Sequence, residues 1–266
     1  MKDIRLKILF LCLLFYSHAF TQGEIDEEQK IFYRDEKTIA GFLSTTGIGL
    51  NLSYAKRIDG YKKVLYHIDI AEIKHPKELK LSNHTSLFNS GGSYVYGKLN
   101  KFFVLRTGIG KQKEMYRKID KGGVSIRNGI SGGLSLGFEK PVYYVMLEYT
   151  PSLEPQSVEK KFDPGPHASN QIERNASFFK GFDELKLVPG VYAKYSYMFE
   201  YGKMDEIIHA IEGGIIVDLF PRSIKIMAHD NNDFVFVSLY IGYRFGKVVD
   251  SRFKTRRNKI DQLLSE

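Results

Sequence analysis

A histidine and an aspartate two residues apart, His67 and Asp69, are the side chains of this sequence best spaced for catalytic chemistry. If their segment is a strand, both side chains lie on one face. A hydrolase or an acyltransferase would need such a pair beside a nucleophile. The sequence contains no H-E-x-x-H, G-x-S-x-G or P-loop motif. We therefore predict no catalytic residue, no cofactor, no metal site and no enzymatic activity, and we interpret the pair as a structural polar contact.

Charged residues set at alternating positions of apolar segments suggest ion pairing instead of catalysis. The predicted lumen charge network consists of Asp69, Arg106, Arg127, Glu148, Lys194, Glu212, Asp218 and Arg244. The same alternation puts Glu200 on the same face as these residues. An unpaired charge inside a narrow, side-chain-filled barrel costs several kcal/mol, on the order of the penalty for an uncompensated buried ion. We therefore expect these residues to pair and to plug the lumen.

The segment "GGVSIRNGISGGLSLGF", residues 122–138, shows the element that would position these charges. Its even positions are mostly large and apolar, as in Ile130 and Leu134, whereas its odd positions are glycine, serine and Arg127. A period of two residues predicts a β-strand with two different faces. One face is apolar, and the other carries almost no side chain except an arginine.

The same alternation recurs along the chain in eight segments. They are residues 41–57, 61–73, 101–110, 122–138, 141–149, 188–201, 206–220 and 233–246. A soluble sandwich also alternates, but its polar face would carry long side chains toward water. Small residues suit the crowded inside of a barrel, and aromatic residues near the segment ends suit the two edges of a membrane. The pattern predicts an all-β, antiparallel, up-and-down transmembrane β-barrel.

The number of strands is eight in the preferred interpretation and ten in the alternative. With eight, residues 150–184 and 221–233 form outer loops, but the stretch "KHPKELKLSNHTSLFNSGG" falls on the opposite side. Splitting the first segment at Thr45–Gly47 and another at Gly97–Asn100 gives ten strands and moves that stretch outside. Long loops on one side and short turns on the other are typical of outer-membrane barrels.

The two ends of the chain differ in composition from the predicted barrel. Residues 1–22 carry Lys2, Arg5 and Lys7 before a short apolar run and predict a cleaved secretory signal peptide. The one cysteine, Cys12, lies in that segment, so disulfides and thiolate chemistry are not expected in the mature chain. Residues 23–247 are predicted as the barrel and residues 248–266 as a basic periplasmic tail, either solvated or in contact with anionic headgroups or cell wall.

The sequence resembles the uncharacterised outer-membrane β-barrel proteins of Bacteroidota, which are small porin-like barrels. The stretches that carry the resemblance are the signal peptide, "IKHPKELK", "SYVYGKLNKFFVLRTGIG", "GGVSIRNGISGGLSLGFEKP" and "YIGYRFGK", across most of residues 30–247. The resemblance implies a Gram-negative outer membrane and raises the expectation of a role accessory to secretion. It carries over no functional residue.

These observations predict a non-enzymatic barrel of the cell outer membrane with a structural role or an accessory role in transport or secretion. Its expected partners are outer-membrane lipid and other envelope or secretion-machinery proteins. We expect a monomer, and we expect no nucleic-acid binding by an exported protein, although the net charge of the chain is +8. The alternatives are a lipid- or peptide-processing barrel enzyme, a small pore, and a soluble periplasmic β-sandwich.

Overall fold

The computed structural model describes residues 35–82, 92–118, 122–149, 155–163, 171–202, 207–228 and 233–249. Their regular structure is almost entirely β-strand. No helix within these ranges combines the length and the apolar character needed to cross a membrane. The predicted signal peptide, residues 1–22, and all but the first two residues of the predicted tail lie outside the described residues.

Eight strands close into an antiparallel barrel. They are β1 (Asp35–Ser44), β2 (Gly47–Arg57), β3 (Lys62–Ile73), β6 (Asn100–Tyr116), β7 (Ser125–Pro141), β11 (Lys186–Glu200), β12 (Ile207–Leu219) and β13 (Val235–Val249). Each strand pairs with the one before it and the one after it in this order, and β13 pairs with β1 to complete the wall. The predicted up-and-down barrel of eight strands is confirmed.

Five shorter strands lie in the connections between wall strands. They are β4 (Lys80–Ser82), β5 (Ser93–Val95), β8 (Tyr143–Tyr149), β9 (Pro155–Lys161) and β10 (Ile172–Asn175). Strands β4 and β5 pair as a two-stranded sheet, and β8 pairs with both β9 and β10. A separate cluster of buried side chains supports these strands and includes Tyr94, Tyr144, Met146 and Phe162.

The eight wall strands differ in two places from the eight segments that the periodicity predicts. Residues 41–57 form parts of two strands, β1 and β2, joined at residues 45–46. Residues 141–149 are wrongly predicted as wall, because β8 pairs only with β9 and β10. The two errors cancel in the count. The first follows from the charged start of β1 at Asp35, which hides its alternation.

The split between β1 and β2 also corrects the placement of the loops. Connections 74–99, 142–185 and 220–234 all leave the same end of the barrel, here called the loop end. The opposite end, here called the terminal end, holds the connections 58–61, 117–124 and 201–206 and both ends of the barrel-forming chain. The stretch beginning at Lys74 therefore joins the other long loops, as only the ten-strand alternative had predicted.

The outer and inner faces of the wall follow the predicted alternation. On β7, Leu134 is 69% exposed on the outside, whereas Arg127 and Ser135 are only 7% and 3% exposed. Phe42 does not follow the single alternation that the sequence predicts over residues 41–57. It shares even numbering with the outward Ile48, but it lies inside the barrel because the turn at residues 45–46 reverses the parity.

Glycines on the inner face leave room for large side chains from other strands. A methyl group at Gly108 would come within 2.4 Å of the Tyr192 hydroxyl, and one at Gly137 would come within 2.6 Å of the Phe102 ring. Such distances are well below van der Waals contact, so these positions must lack a side chain. The nearly bare face of the glycine-rich strand is therefore the space that other residues fill.

An apolar cluster fills the barrel at the loop end. It consists of Ile73, Phe102, Val104, Val188, Phe220, Ile224, Ile226 and Phe236. The ring of Phe102 packs against Phe220 at 5.3 Å and against Phe236 at 5.8 Å between centroids. Residues 220–226 come from a loop, so this connection folds into the barrel mouth. We call this cluster the apolar seal.

We expect Leu134→Arg to lower the free energy of unfolding in lipid by about 2–4 kcal/mol, because Leu134 lies outward and midway along β7. The measurement is a denaturant titration of the protein in vesicles, with the folded fraction read from gel mobility without boiling. Leu79→Arg is the matched control, since Leu79 is 73% exposed in a loop-end connection, and we expect a change within about 0.5 kcal/mol. Equal effects of the two substitutions would contradict the assignment of the outer face.

Candidate functional site in the barrel lumen

The lumen near the terminal end holds a cluster of ion pairs around two glutamates. Glu36 of β1 accepts hydrogen bonds from Lys63 and from Arg127, the latter at 2.9 Å. Arg127 also pairs with Glu200, and Lys118 donates to Glu200 at 2.8 Å. Strands β7 and β1 are four steps apart around the wall of eight, so the Arg127–Glu36 pair crosses the lumen from one side to the other.

A second cluster lies around Glu212 of β12. Arg244 donates from Nε to Glu212 at 2.7 Å, and the Tyr240 hydroxyl donates to the same carboxylate at 2.6 Å. Lys194 Nζ lies 3.4 Å from Glu212 and 3.7 Å from Asp69. The Lys194 ammonium also lies over the Tyr240 ring, 4.6 Å from its centroid. One lysine of β11 therefore joins carboxylates from two other strands.

Hydroxyl and amide groups complete this second cluster. Arg244 donates from Nη1 to Thr38 Oγ1 at 2.7 Å and to Ser53 Oγ at 2.6 Å. Asn51 donates its amide to Asp69. These small polar residues lie on β1 and β2, so the cluster connects strands on both sides of the β1–β13 seam.

A further ion pair, between Arg106 of β6 and Asp218 of β12, lies deeper in the lumen toward the loop end. Arg106 donates from Nε and Nη2 to the two carboxylate oxygens at 2.7 and 2.8 Å, which is a bidentate pair. The two side chains are 2% and 0% exposed. Strands β6 and β12 are three steps apart around the wall, so this pair also crosses the lumen.

Below the mouth of the barrel, buried cations and buried carboxylates of the lumen are equal in number among the described residues. Five buried cations, Lys63, Arg106, Arg127, Lys194 and Arg244, face five buried carboxylates, Glu36, Asp69, Glu200, Glu212 and Asp218. Every one of the ten takes part in at least one ion pair. At the mouth, Arg222 of loop 220–234 makes a further bidentate pair with Glu139 at 3.0 and 2.7 Å.

A small cavity separates parts of this network. Its volume is about 30 Å³, which is room for one or two water molecules. Asn51 and Gln112 line it, and the side-chain oxygens Asn51 Oδ1 and Gln112 Oε1 have no hydrogen-bond partner in the protein. Its lining is polar and suits water, but its size leaves no space for a substrate.

The histidine and the aspartate that could have formed a catalytic pair contact different partners instead of each other. Both side chains face the lumen from β3, but His67 Nε2 contacts the Tyr192 hydroxyl at 2.5 Å, whereas Asp69 contacts Asn51 and Lys194. Each is held by a different partner on another strand. Within the described ranges, no group of three or more histidine, cysteine, aspartate or glutamate side chains is arranged to hold a metal ion.

One residue of the predicted network lies outside the lumen. Glu148 is on β8, where it is exposed and pairs with Lys160 of β9. The prediction was wrong because residues 141–149 belong to the loop-end sheet. The other seven predicted residues, Asp69, Arg106, Arg127, Lys194, Glu212, Asp218 and Arg244, face the lumen.

The network contains two further residues that the sequence prediction did not include. They are Glu36, on the strand that the periodicity missed, and Lys63, which lies on the predicted polar face of β3.

The loop-end sheet also holds a contact between a tyrosine, a glutamate and a lysine outside the barrel wall. The Tyr143 hydroxyl donates to Glu184, and this hydrogen bond raises the pKa of Tyr143 to about 12. Hydrogen bonds from Lys161 and then from Tyr143 lower the pKa of the Glu184 carboxyl. Glu184 therefore stays ionised and holds the start of β11 against β9.

Breaking the Arg106–Asp218 pair from one side is expected to be costly. We expect Asp218→Ala to lower the free energy of unfolding by about 3–5 kcal/mol, because it leaves Arg106 buried without a carboxylate. Arg106→Ala combined with Asp218→Ala is expected to recover part of that loss. Denaturant titrations of the wild type, both single variants and the double variant give the coupling energy.

Glu148→Ala is the control for this cycle, and its cost is expected to be below about 1 kcal/mol because its ion pair is exposed. Additive losses for Arg106 and Asp218 would contradict a coupled pair.

No protein-family model and no curated protein matches the sequence. Two solved structures of similar fold are Neisserial surface protein A and the N-terminal β-barrel domain of Pseudomonas aeruginosa OprF. The first is 8% identical, with 80% of this chain and 95% of that chain covered and a TM-score of 0.41. The second is also 8% identical, with 80% and 97% covered and a TM-score of 0.32. The similarity to both is distant, and the assignment as an eight-stranded β-barrel comes from the strand pairing of this chain.

Proposed function

We propose that this protein is an integral barrel of the outer membrane with a closed, non-conducting lumen and no enzymatic activity. Its role is structural, or accessory to transport or secretion through the loop end. The observation that carries the closed lumen is the Arg127–Glu36 pair, which joins strands on opposite sides of the wall. The Arg106–Asp218 pair and the apolar seal block the same path nearer the loop end.

The outer face of the wall supports the membrane location. Exposed leucine, isoleucine and valine residues cover the middle of the wall, as at Leu50, Leu134 and Leu239. Aromatic residues gather at the terminal end, where the rings of Tyr201, Tyr243 and Phe245 each pack against His209, and a second aromatic group lies at the loop end. Two aromatic belts around an apolar band suit a bilayer with headgroups at both edges.

The orientation in the membrane follows the usual habit of such barrels. Long loops face the outside and short turns face the periplasm, which places the loop end outside and the chain ends in the periplasm. The signal peptide at residues 1–22, the basic tail from residue 248 and an origin in Bacteroidota remain predictions from the sequence. They agree with export to a Gram-negative envelope.

We expect the purified native protein to show no steady conductance in planar lipid bilayers, because paired side chains cross the lumen at more than one level. Single-channel recording at two salt concentrations measures this. A steady, ion-selective current from the native protein would contradict the closed lumen. If Arg127→Glu then reversed the selectivity, the charges would form a selectivity ring of a small pore.

We expect the mature chain to remain with the membrane fraction after carbonate washing and to require detergent for extraction. Its unboiled form should migrate faster on a gel than its boiled form, because the closed barrel resists detergent unfolding. A mature chain that stayed in solution without detergent would contradict the membrane location and favour a periplasmic β-sandwich.

A further inference from the structure

Two lysines face each other on the outer wall at the loop end. Lys101 of β6 and Lys140 of β7 are direct partners in the strand register. Inward positions are even-numbered on β6, as at Arg106, and odd-numbered on β7, as at Arg127, so both lysines point away from the lumen. Like charges directly opposite each other on neighbouring strands are destabilising. Lys140 is also only 3% exposed.

An aromatic cluster from the loop between β10 and β11 covers these lysines. The Phe178 ring centroid lies 5.2 Å from Lys101 Nζ and 5.2 Å from Lys140 Nζ, and the Phe182 ring lies 5.1 Å from Lys140 Nζ. Gly181 adopts a left-handed φ of +84°, which turns the chain so that Phe182 packs at 5.5 Å from Phe178. The rings hold both ammonium groups in one place but supply no negative charge.

Five carboxylates of the loop end are paired with other lysines. The pairs are Glu72 with Lys74, Glu78 with Lys98, Glu148 with Lys160, Glu159 with Lys180, and Glu184 with Lys161. Across the described ranges, no carboxylate forms an ion pair with Lys101 or Lys140. The two ammonium groups therefore have no carboxylate partner in the described part of the protein, and a counterion must come from the surroundings.

The wall below the two lysines is apolar. Toward the membrane centre, the next outward register pairs are Phe103 with Phe138 and Leu105 with Leu136, and Leu134 follows on β7. These side chains form a track along β6 and β7 that suits a hydrocarbon chain. A molecule with an anionic head and an acyl tail would match both the cations at the rim and this track.

We infer that Lys101, Lys140 and Phe178 form a binding site for the phosphate of a lipid headgroup in the outer leaflet. The phosphate accepts a hydrogen bond from the Lys101 ammonium, and its negative charge offsets the repulsion between Lys101 and Lys140, which lies beneath the Phe178 and Phe182 rings. The acyl chain lies along Phe103 and Leu105. The inference rests on the proposed membrane location, because that location brings lipid headgroups to this rim.

The test compares two lipids that differ only in the phosphate, namely phosphatidic acid and diacylglycerol with the same acyl chains. Native mass spectrometry of the full-length mature chain in non-ionic detergent measures the retention of each lipid. We expect the wild type to retain phosphatidic acid roughly tenfold more strongly, and the Lys101→Gln/Lys140→Gln variant to lose that preference. Lys160→Gln/Lys161→Gln removes the same charge from the exposed strand β9 and should keep the preference.

Two outcomes would overturn the inference. One is that the Lys101→Gln/Lys140→Gln variant, still migrating as a folded barrel without boiling, keeps the full preference for phosphatidic acid. The other is that inorganic phosphate binds with the same dependence on these lysines while neither lipid is preferred, which would assign the site to a free anion. Failure of the membrane location would show separately, as a native chain soluble without detergent.

Discussion

The bore of an eight-stranded barrel is only wide enough to be filled by side chains, and this constraint governs the rest of the structure. A charge placed there has little water, so it needs a partner from another strand, as Glu36 on the opposite wall is for Arg127. The pairing also fixes the register. A slip of one residue on β7 would move Arg127 into the outer face and Leu134 into the lumen, and the Arg127–Glu36 pair across the bore would be lost.

The same constraint explains how small and large residues are distributed. Tyr192 and Phe102 reach across the bore because Gly108 and Gly137 leave them space. Charges fill the terminal and middle parts, where polar residues of several strands surround them. At the loop end, residues of loop 220–234 fold inward and replace charges with the apolar seal. The loop-end sheet cannot share that seal, so it has its own core around Tyr144.

The period of two residues was enough to predict the barrel, because alternation is a local property of each strand. It also placed Arg106, Arg127 and Arg244 inside, since parity decides the face of a side chain. Parity does not identify the partner across the bore, which depends on contacts such as Arg127 with Glu36, 91 residues apart. It failed for Glu148, because β8 is an apolar strand buried against a loop-end core, and its composition resembles that of a wall strand.

Charges inside and outside this wall follow opposite rules, and the contrast bears on what the protein does. Inside, the buried cations and carboxylates pair with one another, so these charges need no ion from the surroundings. Outside, Lys101 and Lys140 are neighbours across two strands under aromatic rings, and their like charges repel each other. A bound anion would remove that repulsion. Under the proposed function, a closed lumen and a rim with unpaired cations direct interaction away from the bore and toward the bilayer and the loop end. This contrast supports the proposed structural or accessory role over passage through the barrel.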